Sequence, residues 1–201
     1  MTTRLSLRTA LRLRLEDTSA APLWDDATLN QALAEAMGRY GARVPIERRL
    51  TVAIPAAATT VAVATPLSTR QVIRVLDARG ESVPRAWGSP PRGGDGQAWR
   101  WLGGSLALAL PLGSAQTWTI EHLGPRPLPA DDATAVEIEP GDEDLVVGLA
   151  ASAALTRRAV EDAKRGLNGQ PVALVAAMIE AESGERLRAR ARRASGGWLA
   201  G

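Results

Sequence analysis

The chain has 201 residues, a length that suits one domain or one domain with a sizeable insertion. It contains no cysteine, which excludes disulfides, thiolate catalysis and cysteine-ligated metals. Its 24 basic and 22 acidic residues leave a net charge of only +2, so the overall charge gives no support to a nucleic-acid-binding protein.

The first helix is predicted by a row of leucines. Leu7, Leu11 and Leu15 recur at every fourth position, so they share one face of a helix. Three arginines follow the same spacing beside them: Arg4, Arg8 and Arg12. Leucine and arginine also alternate strictly over residues 11–15, a pattern that suits a strand, so both interpretations stay open at this point.

A second helix is predicted to begin after Trp24 and to stop at Pro45. Asp25 has a side chain suited to capping the helix N-terminus, and Trp24 is expected to pack on Leu29 as a hydrophobic staple. Apolar residues then follow at spacings of three and four: Ala32, Leu33, Ala36, Met37, Tyr40 and Val44. This spacing predicts an amphipathic helix with one face buried along its whole length.

From residue 50 the period of the apolar positions changes to two, which is typical of strands. Proline and glycine punctuate seven short segments: 50–54, 61–64, 71–76, 82–87, 98–102, 105–110 and 117–122. Such spacing predicts a small antiparallel sandwich or barrel. Trp99 and Trp101 fall on one face of a strand, where packing in an aromatic-poor core is favoured over stacking on bases.

Two further helices are predicted near the C-terminus. The first covers residues 143–165 with Asp142 as its N-cap, and its small residues are expected to let a neighbouring subunit approach: Gly148, Ala151 and Ser152, with Leu155. The second begins at Pro171 and runs to about residue 193. Its predicted apolar face consists of Leu174, Val175, Met178, Ile179 and Leu187.

Charge is distributed unevenly at this end of the chain. Residues 131–144 hold seven carboxylates and no base, whereas residues 186–193 hold five arginines and no acid. We predict that the basic segment and the apolar residues after it dock on a partner protein: Arg186, Leu187, Arg188, Arg190, Arg192, Arg193, Trp198 and Leu199. The alternatives are a nucleic-acid-binding module that uses this arginine-rich helix and the Trp99/Trp101 face, and a solvated tail without a partner.

An enzyme is the least favoured class. His122 is the only histidine, and no nucleophile or ligand set surrounds it in the sequence. The acidic residues lack the order of a calcium-binding loop, and they lie in a proline-rich connector. No catalytic residue, metal site or cofactor is predicted. No membrane contact is expected either, since the longest apolar run, 145–155, covers about half a bilayer span.

Together these elements predict an α+β protein. A helical bundle formed by the N- and C-terminal helices covers residues 1–49 and 129–195. A small antiparallel β-sandwich or barrel is inserted at residues 50–128, and residues 196–201 form a flexible C-terminal tail.

This order of elements resembles the head–tail connector, or adaptor, proteins of tailed bacteriophages and gene transfer agents. The resemblance lies in the Leu/Arg helix that ends in Leu15-Glu16-Asp17, and in Trp24-Asp25-Asp26 followed by Leu29, Ala36, Tyr40 and Pro45. It continues in the β-rich middle and in the alanine-rich helix after Asp144.

The resemblance implies a structural, non-enzymatic role in the virion, at the head–tail junction, after assembly in the host cytoplasm. In that family a homo-oligomeric ring, typically a dodecamer, sits beneath the portal protein and extends the DNA channel toward a tail or stopper component. DNA in transit would be contacted without sequence specificity. A C-terminal segment commonly reaches into the portal, and in this chain that segment would be residues 186–198.

Overall fold

The computed structural model describes residues 1–86 and 96–196, the last six of these by their backbone alone. Over this range the protein has four helices and two small antiparallel sheets, which confirms the predicted α+β class. The chain divides into two compact units. The helical unit comprises Met1–Pro45 and Pro125–Gly201, and the β unit comprises Ile46–Gly124.

The N-terminal helices begin at well-formed caps. Helix α1 covers Arg4–Arg14, and Thr3 forms a capping box with Ser6, which resolves the open choice between helix and strand for this segment. Helix α2 covers Asp26–Arg43. The Asp25 carboxylate accepts a hydrogen bond from the Thr28 amide at 2.7 Å. Helix α2 ends at its C-cap, Val44, because a residue before a proline disfavours the helical conformation.

The C-terminal helices form a hairpin. Helix α3 covers Glu143–Lys164 and helix α4 covers Gln170–Gly196. Gly166 follows α3 with a φ of +75°, a left-handed conformation that glycine adopts at helix ends without steric cost. Helix α3 lies at the centre of the unit, since it packs against each of the other three helices. Residues 145–152 are all buried, as expected for a central helix.

The β unit contains two sheets that share one core. Its strands are β1 Ile46–Ile54, β2 Thr60–Ala62, β3 Val72–Leu76, β4 Ser82–Val83, β5 Trp99–Leu102, β6 Ser105–Leu108 and β7 Gln116–Gly124. The first sheet has the order β1-β7-β3-β4 and the second has the order β2-β6-β5, and all their pairings are antiparallel. Apolar side chains from both sheets form a single buried cluster.

Strand β1 is longer than the pattern predicted. It begins at Ile46 rather than at residue 50, and β7 ends at Gly124 rather than at residue 122. The two strands pair without interruption from Ile46 opposite Gly124 to Ile54 opposite Gln116. The ladder of backbone hydrogen bonds therefore extends into a polar segment whose side chains give little strand signal.

The arginine row of α1 forms ion pairs inside the helical unit. Arg8 is only 7% exposed, and its two terminal nitrogens donate to the two carboxylate oxygens of Asp132 at 3.0 and 2.7 Å. Arg4 donates to the same carboxylate at 2.6 Å. One terminal nitrogen of Arg12 donates to Asp17 at 2.6 Å and the other donates to Asp26 at 2.8 Å. The N-terminal helix is thus tied to the acidic connector that precedes α3.

Arg126 is the second polar link in this unit. Its side chain is 4% exposed and donates to the backbone oxygen of Val44 at 2.7 Å, to the backbone oxygen of Glu137 at 2.9 Å and to the carboxylate of Glu139 at 2.6 Å. Its guanidinium also lies over the Tyr40 ring, 5.7 Å from the centroid. One side chain therefore donates hydrogen bonds both to the C-terminus of α2 and to two residues of the connector.

We expect acid to weaken the fold through Asp132. Arg8 and Arg4 lower the pKa of Asp132 to about 2, below the ordinary value of about 3.9. A carboxyl whose pKa is lower in the folded state stabilises the fold above its unfolded pKa, and this contribution is lost as the pH falls through the folded value. Thermal unfolding should therefore move to lower temperature between about pH 4 and about pH 2.

The matched variants for this prediction are Asp132→Asn and Glu182→Gln. Asp132→Asn should lose less of its melting temperature over that pH range than the wild type does. Glu182 is exposed and has no ion pair among the described residues, so Glu182→Gln should follow the wild-type curve. Equal acid sensitivity in all three proteins would contradict the role of Asp132.

Candidate functional site

The predicted docking residues lie on α4, and some of them are already used within the subunit. Arg186 and Arg188 are exposed. Leu187 is 6% exposed and belongs to the core of the helical unit. The side chains of Arg192 and Arg193 lie outside the described residues, as do Trp198 and Leu199 entirely. Their predicted contribution to docking stays a prediction.

Arg190 pairs inside the fold with Asp142. Its Nε donates to a carboxylate oxygen of Asp142 at 2.9 Å, and the Tyr40 hydroxyl donates to the same oxygen at 2.8 Å. Burial, and then the hydrogen bond to Asp142, raise the pKa of Tyr40 to about 12, so this hydroxyl remains a donor at neutral pH. Arg190 therefore fixes α4 to the start of α3, which its predicted docking role did not include.

The same contacts correct the predicted role of Asp142. It occupies the N-cap position of α3, but its side chain makes no capping hydrogen bond. Its conformation is not the extended one of a capping residue, and its carboxylate is held by Tyr40 and Arg190 instead. The hydrogen bond at the start of the helix comes from Glu143 instead. Its carboxylate accepts from the Gly141 amide at 3.0 Å.

The small residues of α3 pack against α4 of the same chain. A Cβ on Gly148 would lie 2.5 Å from the Ser183 hydroxyl oxygen. Ala151 is fully buried, and the Ser152 hydroxyl donates to the Glu180 carboxylate at 2.7 Å. The prediction that these residues pack a neighbouring subunit is therefore corrected, because α3 is the central helix of its own bundle. Leu155, one turn further along, is partly buried.

This close approach gives a stability prediction. We expect Gly148→Ala to lower the free energy of unfolding by about 1–3 kcal/mol, because the new methyl group overlaps Ser183 at a buried contact. The control is Gly38→Ala, at a helical glycine with no atom within 4 Å of a Cβ. Gly38→Ala should stabilise the protein by up to about 1 kcal/mol, because alanine has a higher helix propensity than glycine.

Urea unfolding followed by circular dichroism measures both effects. The double variant Gly148→Ala/Ser183→Ala should recover most of the loss, since it removes the overlapping oxygen while the Ser183 Cβ would lie 3.6 Å away. If Gly148→Ala is as stable as Gly38→Ala, α3 and α4 do not approach as closely as described.

The apolar residues of α4 divide between two faces, which differs from the single face predicted. The buried face carries Ala176, Ser183 and Leu187, with Ile179 partly buried. Leu174, Val175 and Met178 lie on the other side, and Leu174 and Met178 are 60% and 73% exposed. Ser183 on the buried face meets Gly148 of α3, so the two helices approach closely at that point.

Five large apolar side chains of the hairpin are exposed. They are the three exposed α4 side chains, one from the last turns of α3 and one from the turn between the helices. We call these five residues the apolar end: Val160, Leu167, Leu174, Val175 and Met178. Sequence reasoning missed Val160 and Leu167, because neither belongs to a periodic stripe. Leu174, Val175 and Met178 share one exposed face of α4 by their i, i+3 and i, i+4 spacing, and such a face is a candidate protein-contact surface.

At least three of the seven carboxylates in the acidic connector form ion pairs within the chain. Asp132 binds Arg4 and Arg8, Glu139 binds Arg126, and Asp142 binds Arg190. Asp131 closes a local turn by accepting from the Thr134 amide and hydroxyl. Among the described residues no group of three potential metal ligands lies together. The connector thus has a structural role in fixing α1 and α4.

The tryptophan face proposed for nucleic-acid binding is buried. Trp99 is 1% exposed and Trp101 is 7% exposed, and both lie in the core of the β unit. Their indole N–H groups donate to the backbone oxygens of Val83 at 2.9 Å and Leu67 at 3.0 Å. Neither ring is available for stacking on bases, and the favoured interpretation as core residues agrees with this placement. His122 is also buried.

Comparisons with known proteins give no family assignment. No protein-family model matches the chain, and none of the curated proteins has significant sequence similarity to it. Within the described part of the chain, no helix has the length and apolarity needed to cross a bilayer.

Proposed function

We propose that this protein is a structural head–tail adaptor. In this proposal its copies form a ring beneath a portal protein, extend the DNA channel and offer an attachment surface to a tail or stopper component. The observation that carries the proposal is the apolar end, because five large apolar side chains remain at least about half exposed although the helical unit has a complete core.

A ring joins two different surfaces of each subunit, and the helical unit offers a second one. Leu5 and Leu13 lie two turns apart on the outer face of α1, and they are 50% and 63% exposed. We propose that the apolar end of one copy packs against this α1 face of the next. Exposed arginines on α4, Arg186 and Arg188, then remain for the portal, together with the predicted anchors Trp198 and Leu199.

The nucleic-acid-binding alternative is less well supported, because the tryptophans that it would use lie in a core. DNA contact in the proposed ring is weak and independent of sequence, since passage through a channel requires easy release. Arginine contacts with phosphates would supply it.

The experiment compares two double variants with the same change in charge. Leu174→Glu/Met178→Glu places carboxylates in the apolar end, whereas Leu102→Glu/Leu110→Glu places them at exposed leucines of the β unit. Both variants should fold, since all four side chains are exposed. Each protein is mixed with the portal protein from the same genome, and the mass of the complex is determined.

We expect the wild type and the β-unit variant to add one complete ring per portal. The apolar-end variant should add scattered copies or none, because burying the new carboxylates is unfavourable. A complete ring formed by the apolar-end variant would contradict the proposed contact.

A further inference from the structure

A groove in the helical unit shares Arg188 with the surface proposed for the portal. It lies between the C-terminal half of α2 and the middle of α4 and has a volume of about 520 Å³. Eight residues line it: Arg39, Ala42, Arg43, Glu180, Ala181, Gly184, Leu187 and Arg188. Three of these are arginines and one is a glutamate, so the lining has a net positive charge.

One ion pair fixes the wall of the groove. Both terminal nitrogens of Arg39 donate to the two carboxylate oxygens of Glu180. Glu180 also accepts the Ser152 hydroxyl, which holds the pair against α3. Arg39 lowers the pKa of Glu180, so this carboxylate stays ionised at neutral pH and its charge is matched by its partner.

The other two arginines retain donors for a ligand. The exposed Arg43 side chain has no ion pair or hydrogen bond with any described residue. Arg188 donates its Nε to the backbone oxygen of Gly184 at 3.2 Å. Among the described residues its guanidinium has no carboxylate partner. Two guanidinium groups therefore offer their forked N–H pairs, the arrangement that binds carboxylates with two parallel hydrogen bonds.

The shape of the groove favours a peptide over a nucleic acid. Its remaining surface is small or apolar, with Ala42, Ala181 and Gly184 beside the buried Leu187. A peptide can place separate carboxylates on the arginines and small side chains on this surface. A nucleic-acid strand carries an unbroken line of phosphates, for which the groove offers only two guanidinium groups without a carboxylate partner.

We propose that this groove binds an acidic segment of a partner protein, with Arg43 and Arg188 pairing with its carboxylates. The inference does not depend on the head–tail assignment, since it rests only on the groove itself. It also differs from the apolar end in the kind of partner surface that it requires.

The test uses two helical glycines that both have open space where a side chain would begin. Neither Gly184 nor Gly38 has an atom within 4 Å of a Cβ, and both lie within helices. Gly184→Glu places a carboxylate in the groove, where it would occupy the arginines, and Gly38→Glu makes the same change on α2 outside the groove lining. A third variant, Arg43→Gln/Arg188→Gln, removes the proposed donors.

The probe is a short fluorescent peptide of alternating glutamate and alanine, measured by anisotropy with the full-length protein. A peptide of glutamine and alanine and a single-stranded oligonucleotide are measured in parallel. We expect the glutamate peptide to bind the wild type and Gly38→Glu equally. Binding to Gly184→Glu and to the double glutamine variant should be weaker by about tenfold or more.

Three results would overturn the proposal. The first is equal binding of the glutamate and glutamine peptides, which would show that carboxylates are not recognised. The second is unchanged affinity in Gly184→Glu. The third is tighter binding of the oligonucleotide with the same sensitivity to these variants, which would make the groove a nucleic-acid site.

Discussion

Replacing Arg126 with alanine should lower the free energy of unfolding by about 3 kcal/mol. The change removes a buried side chain that donates to two backbone oxygens and to Glu139, and that lies over the Tyr40 ring. The backbone oxygens of Val44 and Glu137 would lose these hydrogen bonds. The expected loss is at the lower end of the range for breaking a buried ion pair, because the Glu139 side chain is 41% exposed.

Two control variants separate this effect from a simple loss of charge. Arg126→Lys keeps the charge but cannot reach three acceptors with one compact ammonium group, so its loss should be intermediate. Arg14 is exposed and has no partner within the described residues, so Arg14→Ala should change stability by less than about 0.5 kcal/mol. Urea unfolding followed by circular dichroism at the helix band reports on the unit concerned. Equal midpoints for Arg126→Ala and Arg14→Ala would contradict the proposed link.

Trp99→Ala should strongly destabilise the β unit, by about 3–5 kcal/mol. Trp99 is 1% exposed, so alanine leaves a cavity in the core and the Val83 backbone oxygen loses its indole donor. Trp99→Phe should cost less, about 1–2 kcal/mol, since it keeps most of the buried volume and loses the hydrogen bond.

This prediction also distinguishes the two functional classes. A buried Trp99 predicts that Trp99→Ala changes the urea midpoint and leaves the affinity for single-stranded DNA as it was. A Trp99 that stacks on bases predicts the opposite pattern. Loss of DNA affinity with an unchanged midpoint would therefore support the nucleic-acid-binding module and contradict the core placement.

Local signals were sufficient for most elements of the fold. Asp25 and Pro45 mark the two ends of α2 because capping and the restriction before proline act over a few residues. The alternating segments between residues 50 and 122 all contain strands, since period-two patterns follow directly from sheet geometry. The extra length of β1 was not predictable, because it comes from pairing with β7 across the unit.

The polar links of the helical unit could not be read from the sequence. Asp142 has the residue type and position of a helix cap. Its carboxylate instead accepts hydrogen bonds from Tyr40 and Arg190, which lie far from it along the chain. Arg126 lies in a proline-rich segment without any period. Contacts of this kind depend on the tertiary arrangement, and composition gives no sign of them.

The faces of α3 and α4 show a related limit. A stripe of small residues predicts that another helix approaches closely, and the stripe on α3 does face such a helix. The sequence cannot tell whether that helix belongs to the same chain, and here it does, because Gly148 meets Ser183. Leu174 and Met178 were predicted as part of an apolar helix face, but the structure places them on the exposed side of α4.

The most direct test of the proposed function is electron microscopy of the wild-type protein mixed with the portal protein from the same genome. The adaptor proposal predicts a second ring of density on the tail-facing end of the portal, with one copy of this chain per portal subunit. Portal rings that remain bare while the folded chain is present in excess would contradict the proposal.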